Sequence, residues 1–367
     1  MNSFELPEGV PKLGERLAGR YELKEVLGEG GMGIVYRAIQ HPLARSVAVK
    51  VLLGQFSHDP TKKARFMTEA RILAKLRGSH TVSLIDFGVL DDGIVFIVME
   101  YLEGGTLRAL MDQGPMAARR AYSIVQQILR ALAEAHAAGI IHRDLKPGNV
   151  LIDRVEGERL IVRVTDFGIA KWNSPLAHDV DGFGPTVTGG LDVNPAETAP
   201  GIRLGTPEYI PPEQAFAKGI DHTVDLYALG VIFYEMLLGA KPFAAENAQG
   251  MYMAHLYEPP KSLRLVAPQL NVDVRADDLI LSLMQKKPAE RPQSAKSVLR
   301  LVDELLHQTP LVFETSTEMP ALNPVFANAE DTHDEPIPEG EMPHSKPWMW
   351  LLAGVVIGLG VGGLLFG

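Results

Sequence analysis

The residues that could bind phosphate begin at positions 28–33, which read G-E-G-G-M-G. The next segment, I-V-Y-R-A-I, is β-like and leads to V-A-V-K, in which Lys50 lies 17 residues after Gly33. A dinucleotide-binding fold would instead open a helix directly after the glycines. Glycines let the backbone lie close over phosphates because no side chain intervenes. The pattern therefore favours a loop between two strands that covers a nucleotide, with a lysine on the following strand.

The predicted partner of Lys50 is Glu69. The stretch K-K-A-R-F-M-T-E-A-R-I-L-A-K-L is amphipathic, and it places Phe66, Ala70 and Leu73 on one face with Glu69 beside them. An ion pair with Glu69 would aim the Lys50 ammonium at the α- and β-phosphates. Glu69 by itself would be assigned to the surface, and only the lysine makes the prediction specific.

The most specific segment is I-H-R-D-L-K-P-G-N-V at residues 141–150, followed by D-F-G at 166–168. Together with the glycines and Lys50, these ordered motifs make residues 20–307 resemble a eukaryotic-type Ser/Thr protein kinase, most similar to the membrane-anchored bacterial ones. The resemblance implies a bilobal α+β fold with a small β-rich N-lobe and a larger, mainly helical C-lobe. It also implies transfer of the γ-phosphoryl group of ATP to Ser/Thr hydroxyls of protein substrates, with Mg²⁺, or Mn²⁺ in its place, as the metal.

The same resemblance assigns roles to individual residues. Asp144 would accept or orient the proton of the substrate hydroxyl, and Lys146 would face the transferring phosphoryl group. Asn149 and Asp166 would hold the metal. A second D-F-G begins at Asp86, but only Asp166 follows the catalytic segment, 22 residues after Asp144, so only Asp166 is assigned to metal binding.

The adenine ring is expected between apolar side chains, with Met99 as the gatekeeper and backbone hydrogen bonds from Glu100 and Leu102. The predicted hinge is 99–103. The full set of predicted ATP-binding residues is Leu27, Gly28, Glu29, Gly30, Gly31, Met32, Gly33, Val35, Ala48, Lys50, Met99, Glu100, Leu102 and Leu151.

Three further residues are expected to be structural. The segment G-T-P-E-Y-I-P-P-E-Q at 205–214 resembles the end of an activation segment, with P-P-E in place of the family's A-P-E. Glu213 should form a buried ion pair with Arg291. Asp225 should anchor the backbone of the catalytic loop from a central helix.

The resemblance also implies control by phosphorylation. Arg143, which precedes Asp144, is the kind of arginine that pairs with a phosphorylated residue of the activation loop. Thr198 lies seven residues before Gly205 and best matches the usual position. Thr186 and Thr188 remain alternatives, because the loop is unusually long.

Composition excludes several other classes of site. The chain has 367 residues, no cysteine and a formal charge of −10. Disulfide scaffolds, zinc–thiolate sites and iron–sulfur clusters are therefore excluded, and a nucleic-acid partner is not expected. Residues 1–19 are predicted to be an N-terminal extension, 20–98 the N-lobe and 104–307 the C-lobe.

Residues 308–367 differ in composition from the predicted kinase domain. Residues 308–346 are rich in acid and proline, which predicts a disordered linker. The uncharged segment 347–367 is long enough for one transmembrane helix and has Trp348 and Trp350 near its start. Lys346 before the span predicts a C-terminal, single-pass anchor in the inner cell membrane with a cytoplasmic kinase domain. The spacing of Gly354, Gly358 and Gly362 would allow a homodimer through close helix pairing.

Hydrophobic periodicity predicts strands first and helices afterwards. The predicted strands are Tyr21–Leu27, Ile34–Ile39, Ser46–Leu52, Ser83–Leu90 and Ile94–Glu100, and the predicted helices are Thr61–Leu76, Ala117–Ala138, Asp225–Leu238 and Asp277–Gln285. The alternatives are a pseudokinase, a small-molecule phosphotransferase of related fold and a membrane-anchored scaffold. The ordered catalytic set disfavours the first and the last, and the 205–214 segment with Arg291 disfavours the second.

Overall fold

The computed structural model describes residues 10–30, 33–52, 70–71, 73–90, 93–155, 159–167, 207–215 and 220–309. The chain divides into two compact units, 1–329 and 330–367, and every described residue belongs to the first. Several predictions lie outside the described residues: Gly31, Met32, Glu69, Thr186, Thr188, Thr198, linker positions 310–346 and the span 347–367. Within the described ranges, no helix is long and apolar enough to cross a membrane.

The N-lobe is a six-stranded antiparallel sheet with strand order β1-β2-β3-β4-β6-β5. Its strands are β1 (Arg16–Leu17), β2 (Tyr21–Gly30), β3 (Gly33–Gln40), β4 (Arg45–Leu52), β5 (Leu84–Val89) and β6 (Val95–Glu100). The strands predicted from alternation are all present. β1 lies inside the predicted N-terminal extension, so part of that extension belongs to the sheet.

The two faces of the sheet form separate apolar clusters. Val47, Val49 and Val51 of β4 pack in one cluster, whereas Ala48 and Leu52 pack in the other. Successive side chains of a strand point to opposite faces. Lys50 therefore lies on the face of Ala48 and Leu52, the face on which Met99 also packs.

The C-lobe is mainly helical. Its elements are β7 (Gly105–Thr106), α1 (Leu107–Met111), α2 (Ala118–Ala137), β8 (Val150–Val155), β9 (Arg159–Val164), α3 (Pro212–Ala215), α4 (Thr223–Leu238), α5 (Ala248–Tyr257), α6 (Leu263–Val266), α7 (Val274–Leu283) and α8 (Ala295–Gln308). The three strands form an antiparallel sheet in the order β7-β8-β9. The predicted α+β architecture, with a β-rich lobe before a helical lobe, is confirmed.

Helix α4 forms the centre of the C-lobe. It is buried from Thr223 to Leu237, as expected for a helix that is apolar on nearly every face. It ends at Gly239, whose φ of 75° is the left-handed conformation that glycine adopts without strain. The catalytic segment is positioned against the N-terminal end of this helix.

A buried ion pair joins α3 to the segment before α8. The Arg291 Nη1 and Nη2 atoms donate to the two carboxylate oxygens of Glu213 at 2.6 and 2.7 Å. Arg291 also donates to the carbonyl oxygens of Gln285 and Lys286 at 2.7 and 3.1 Å. Its guanidinium lies 4.8 Å from the centre of the Tyr227 ring. The pair that the sequence predicts is therefore present, with both charges hydrogen-bonded.

Replacing Arg291 should destabilise the domain strongly. Arg291→Met leaves the Glu213 carboxylate buried and unpaired, which should lower the free energy of unfolding by about 3–5 kcal/mol. Urea unfolding followed by circular dichroism measures the change. Lys287→Met is the matched control, because that side chain is 78% exposed, and it should leave the midpoint unchanged. An equal midpoint for both variants would contradict a stabilising role for the Glu213 pair.

Candidate active site

Lys50 and Asp166 meet across the two lobes. The Lys50 Nζ atom donates to Asp166 Oδ2 at 2.8 Å, and Lys50 is buried. Asp166 follows β9 and has a φ of 61°. Burial by itself would raise the pKa of the Asp166 carboxyl, but the charge and hydrogen bond of Lys50 outweigh it and hold that pKa below its ordinary value. Asp166 is therefore a carboxylate at neutral pH.

The catalytic segment brings Asp144, Lys146 and Asn149 together. The Asn149 Nδ2 atom donates to the Asp144 carbonyl oxygen at 2.8 Å and to Asp144 Oδ2 at 3.1 Å. The Lys146 Nζ atom lies 3.4 Å from the same Asp144 oxygen. A 3₁₀ turn at Pro147–Asn149 produces this geometry, because it folds Asn149 back over the loop.

Asp225 of α4 holds the backbone of this segment. Its Oδ2 and Oδ1 atoms accept the N–H groups of His142 and Arg143, each at 2.8 Å. Oδ2 is also 2.8 Å from His136 Nε2. Burial raises the pKa of Asp225, but the hydrogen bond and charge of His136, with smaller contributions from His142, lower it below the ordinary value. The structure thus places Asp225 where the sequence predicts a backbone anchor.

His142 connects the catalytic segment to the residues around Asp166. Its Nδ1 atom accepts the N–H of Asp144 at 3.3 Å, which puts the ring proton on Nε2. Nε2 then donates to the Thr165 carbonyl oxygen at 2.9 Å, and the ring packs against Phe167 at 4.8 Å between centres. Asp144 and Asp166 are therefore held by one continuous set of contacts.

The donor set fits a hard divalent cation. Magnesium takes oxygen ligands, commonly one or two carboxylates together with substrate phosphates. Asp166 supplies a carboxylate, and Asn149 uses its amide nitrogen for Asp144, so its amide oxygen is the atom suited to a cation. Within the described residues there is no group of three or more His, Cys, Asp or Glu side chains placed to bind a metal. One carboxylate and one amide oxygen would leave the remaining ligand positions of a Mg²⁺ ion to phosphate and water.

Apolar side chains surround the predicted adenine position. Leu27, Ala48 and Met99 are buried in one cluster, and Val35 packs against it. Leu102 and Leu151 are also buried. Gly33 has a φ of 153°, and a Cβ there would overlap the carbonyl oxygen of Val51, so the end of the glycine loop requires glycine. Leu27, Val35, Ala48 and Met99 thus pack together on the Lys50 face of the N-lobe sheet, and Leu151 lies on β8 of the C-lobe.

Glu100 has a contact that the sequence did not predict. Its backbone N–H donates to the Ser83 carbonyl oxygen at 3.0 Å. Its two carboxylate oxygens lie 2.8 and 2.9 Å from Nη1 of Arg163, a residue of β9. The Glu100 carboxylate therefore links the predicted hinge to β9, the strand that precedes Asp166.

The first D-F-G triplet is part of the N-lobe sheet. Asp86 lies on β5, accepts the Tyr21 hydroxyl at 2.6 Å and pairs with Arg20 at 2.8 Å. Burial and the Asp86 contact raise the pKa of Tyr21 to about 12. These contacts fasten the start of β2 to β5, far along the chain from the catalytic segment.

Arg143 adopts a left-handed conformation with a φ of 62°. Its carbonyl oxygen accepts Gln214 Nε2 at 2.8 Å, which links the catalytic segment to α3. The buried Nε atom of Arg143 has no hydrogen-bond partner among the described residues. The three threonines predicted to pair with it lie outside those residues.

The chain is similar to known protein kinases. The model of the protein kinase domain family matches residues 21–302. The chain is 39% identical over 302 residues to the serine/threonine-protein kinase pkn3 of Myxococcus xanthus, covering 81% of this chain and 52% of that protein. It is 38% identical over 289 residues to the serine/threonine-protein kinase PknA of Mycobacterium tuberculosis, covering 77% and 61%.

A solved structure shows the same fold. The crystal structure of the Mycobacterium tuberculosis PknI kinase domain has a TM-score of 0.59 at 25% identity, covering 80% of this chain and 99% of that one. The chain spans 52% to 61% of the length of the two curated relatives. The chain belongs to the protein kinase family, and the domain that matches it is of the serine/threonine type.

Proposed function

We propose that this protein is an active kinase that transfers the γ-phosphoryl group of ATP to Ser/Thr hydroxyls of proteins. The single observation that carries the proposal is the 2.8 Å contact between Lys50 and Asp166, beside the Asn149–Asp144 pair. These residues come from three separate parts of the chain, because Asp144 and Asn149 share one loop, and a pseudokinase would be expected to lack at least one of them. Their convergence in one cleft supports catalysis over a scaffold role.

The residues divide the chemistry between them. Lys50 would bind the α- and β-phosphates, and Asp166 with Asn149 would hold Mg²⁺ or Mn²⁺. The metal, when bound, neutralises charge on the phosphate oxygens. Asp144 would take the proton of the attacking hydroxyl, and Lys146, 3.4 Å from it, would stabilise charge on the transferring group. Glu69 would orient Lys50 when nucleotide is bound.

Control would come from phosphorylation of the activation loop. A phosphothreonine carries about −1.5 to −2 charge and three strong acceptor oxygens, which suit an arginine guanidinium. Arg143 directly precedes Asp144, and its buried Nε atom lacks a partner among the described residues. A phosphate on Thr198, or on Thr186 or Thr188, would therefore order the segment next to the catalytic aspartate.

The C-terminal segment would anchor the kinase in the inner membrane. From Trp348 to Phe366 the segment has 19 uncharged residues, close to the thickness of a bilayer core as a helix. The first residue of the predicted linker 308–346 belongs to α8, and the remainder would span about 35 Å root-mean-square as a flexible coil. If the glycine face pairs two spans, two kinase domains are held at high local concentration, which favours autophosphorylation in trans.

Substitution of the two central charges tests the enzymatic role. Lys50→Met should lower phosphate transfer by about 10²–10³-fold and Asp144→Asn by about 10²–10⁴-fold, because each removes a group that acts in the transition state. Transfer of label from γ-labelled ATP to a protein substrate measures both, with circular dichroism as the check on folding. Lys24→Met, on the exposed side of β2, is the control. Near-normal phosphate transfer in either variant would contradict the role assigned to that residue.

Thr198→Ala should lower activation, because it removes the acceptor of the phosphate that Arg143 would bind. Mass spectrometry of the active protein identifies the modified position, and Thr186→Ala and Thr188→Ala are the matched controls. An active form in which Thr198 is unmodified would defeat this assignment and favour one of the other two threonines.

Ending the chain at Ser345 should release the protein from the membrane fraction. Activation of the truncated protein should then depend on its concentration, since the two domains would no longer be held together. Fractionation and a dilution series measure the two effects. Unchanged membrane association would refute the anchor, and activation that is equally fast at every dilution would refute activation in trans.

A further inference from the structure

Residues 77–83, here called the joint segment, connect the two lobes by backbone contacts. Thr81 forms a parallel bridge with Val164 of β9. The Val82 N–H donates to the Val164 carbonyl oxygen at 3.0 Å, and the Val164 N–H donates to the His80 carbonyl oxygen at 2.9 Å. Because Val164 is two residues before Asp166, the joint segment sets the position of the strand that carries the metal-binding aspartate.

The end of the joint segment is bonded to the hinge. The Ser83 carbonyl oxygen accepts the Glu100 N–H at 3.0 Å, and the Ser83 N–H donates to Glu100 Oε1 at 2.7 Å. One short segment therefore contacts both the strand before Asp166 and the start of the adenine-binding hinge. A shift of this segment would move the nucleotide site relative to Asp166.

One carboxylate of the C-lobe holds the other end. Glu134, near the end of α2, accepts the N–H groups of Arg77 and Gly78 on Oε1 at 2.8 and 2.7 Å. Its Oε2 atom accepts the Thr81 hydroxyl at 3.1 Å, and Thr81 is only 3% exposed. Hydrogen bonds to an ionised acceptor are roughly twice as strong as neutral ones. Three such bonds to one rigid helix fix both the position and the direction of the joint segment.

The absence of a side chain at Gly78 leaves space for the Glu134 carboxylate. A Cβ built on Gly78 would overlap Glu134 Oε2. Any other residue at position 78 would push the carboxylate away from the N–H groups that it accepts. The contacts of the Glu134 carboxylate therefore require glycine at position 78, although 56 positions separate the two residues in the sequence.

We propose that Glu134 is a positioning residue for phosphoryl transfer, acting through the joint segment to set the distance between Lys50 and Asp166. This inference rests on the proposed kinase function. Lys50 belongs to the N-lobe sheet and Asp166 to the C-lobe, so their contact depends on how the lobes are joined. Misplacement of reacting groups by about 1 Å can cost about 10²-fold in rate.

Kinetics with respect to ATP test the proposal in the full chain. Glu134→Ala should lower kcat about 10- to 100-fold and raise KM for ATP several-fold, because the hinge and Asp166 would no longer be held in their relative positions. A variant that merely unfolds more easily loses apparent kcat and keeps its KM. Glu134→Gln should stay near the wild type, since its amide oxygen still accepts both N–H groups and the Thr81 hydroxyl can accept from its amide nitrogen. Arg130→Ala, exposed on the same helix, is the control.

A double substitution tests whether Gly78 and Glu134 act together. Gly78→Ala should reproduce the kinetic defect of Glu134→Ala. In the Glu134→Ala background, Gly78→Ala should add little, because the atom that its methyl group would meet is gone. Additive defects in the double variant would show that the two residues act separately and would overturn the proposal.

Hydrogen exchange gives a readout that does not need turnover. In Glu134→Ala, the amides of Arg77 and Gly78 and those of 159–166 should exchange faster, whereas α4 should be unchanged. Unaltered exchange over 159–166 together with a wild-type KM for ATP would overturn the inference. If the wild type binds MgATP but transfers no phosphate, the proposed function fails, and the affinity for MgATP with the exchange pattern still decides the role of Glu134.

Discussion

A single buried carboxylate determines the shape of the catalytic loop. Asp225 is 1% exposed, and its two oxygens accept the backbone N–H groups of His142 and Arg143. A buried charge is costly unless it is hydrogen-bonded, and here backbone donors and His136 meet that requirement. Asp225 belongs to α4, which is buried along almost its whole length. The loop backbone is therefore bonded directly to the core of the C-lobe. The left-handed conformation of Arg143 is held next to these bonds.

The cleft then arranges opposite charges in pairs. Each of the two carboxylates, Asp144 and Asp166, has a lysine ammonium within 3.4 Å. Groups held in a partly desolvated site interact more strongly than in water and need little reorganisation during a reaction. The Glu213–Arg291 pair, also buried, has all its charge satisfied by its own neighbours and the carbonyl groups around it. It stabilises the C-lobe, whereas the charges of the cleft are those that a phosphate and a metal can engage.

The sequence predicted local elements well because their patterns are local. Alternation placed a strand at Ser46–Leu52, and the structure has Arg45–Leu52. The helix predicted at Ala117–Ala138 is Ala118–Ala137. Motif order also identified Lys50, Asp144, Asn149 and Asp166, which the structure brings together. The contacts of Glu100 and Glu134 were missed, because their partners lie 63 and 56 positions away and no local pattern marks them. An isolated glutamate on a helix reads as a surface residue unless its distant donors are known.

The joint between the lobes shows why such contacts matter. Apolar side chains fall into separate clusters for the two faces of the N-lobe sheet and for the C-lobe, with Leu73 packed against two of them. Hydrophobic contact is not directional, so it holds two bodies together without fixing their angle. Hydrogen bonds have narrow distance and angle requirements. We therefore expect the position of the predicted hinge relative to Asp166 to depend on the directional bonds of residues 77–83, Glu100, Glu134 and Arg163. Under the proposed function, these polar contacts between the apolar clusters position the groups of the cleft, whereas the apolar clusters and the buried Glu213–Arg291 pair stabilise the lobes.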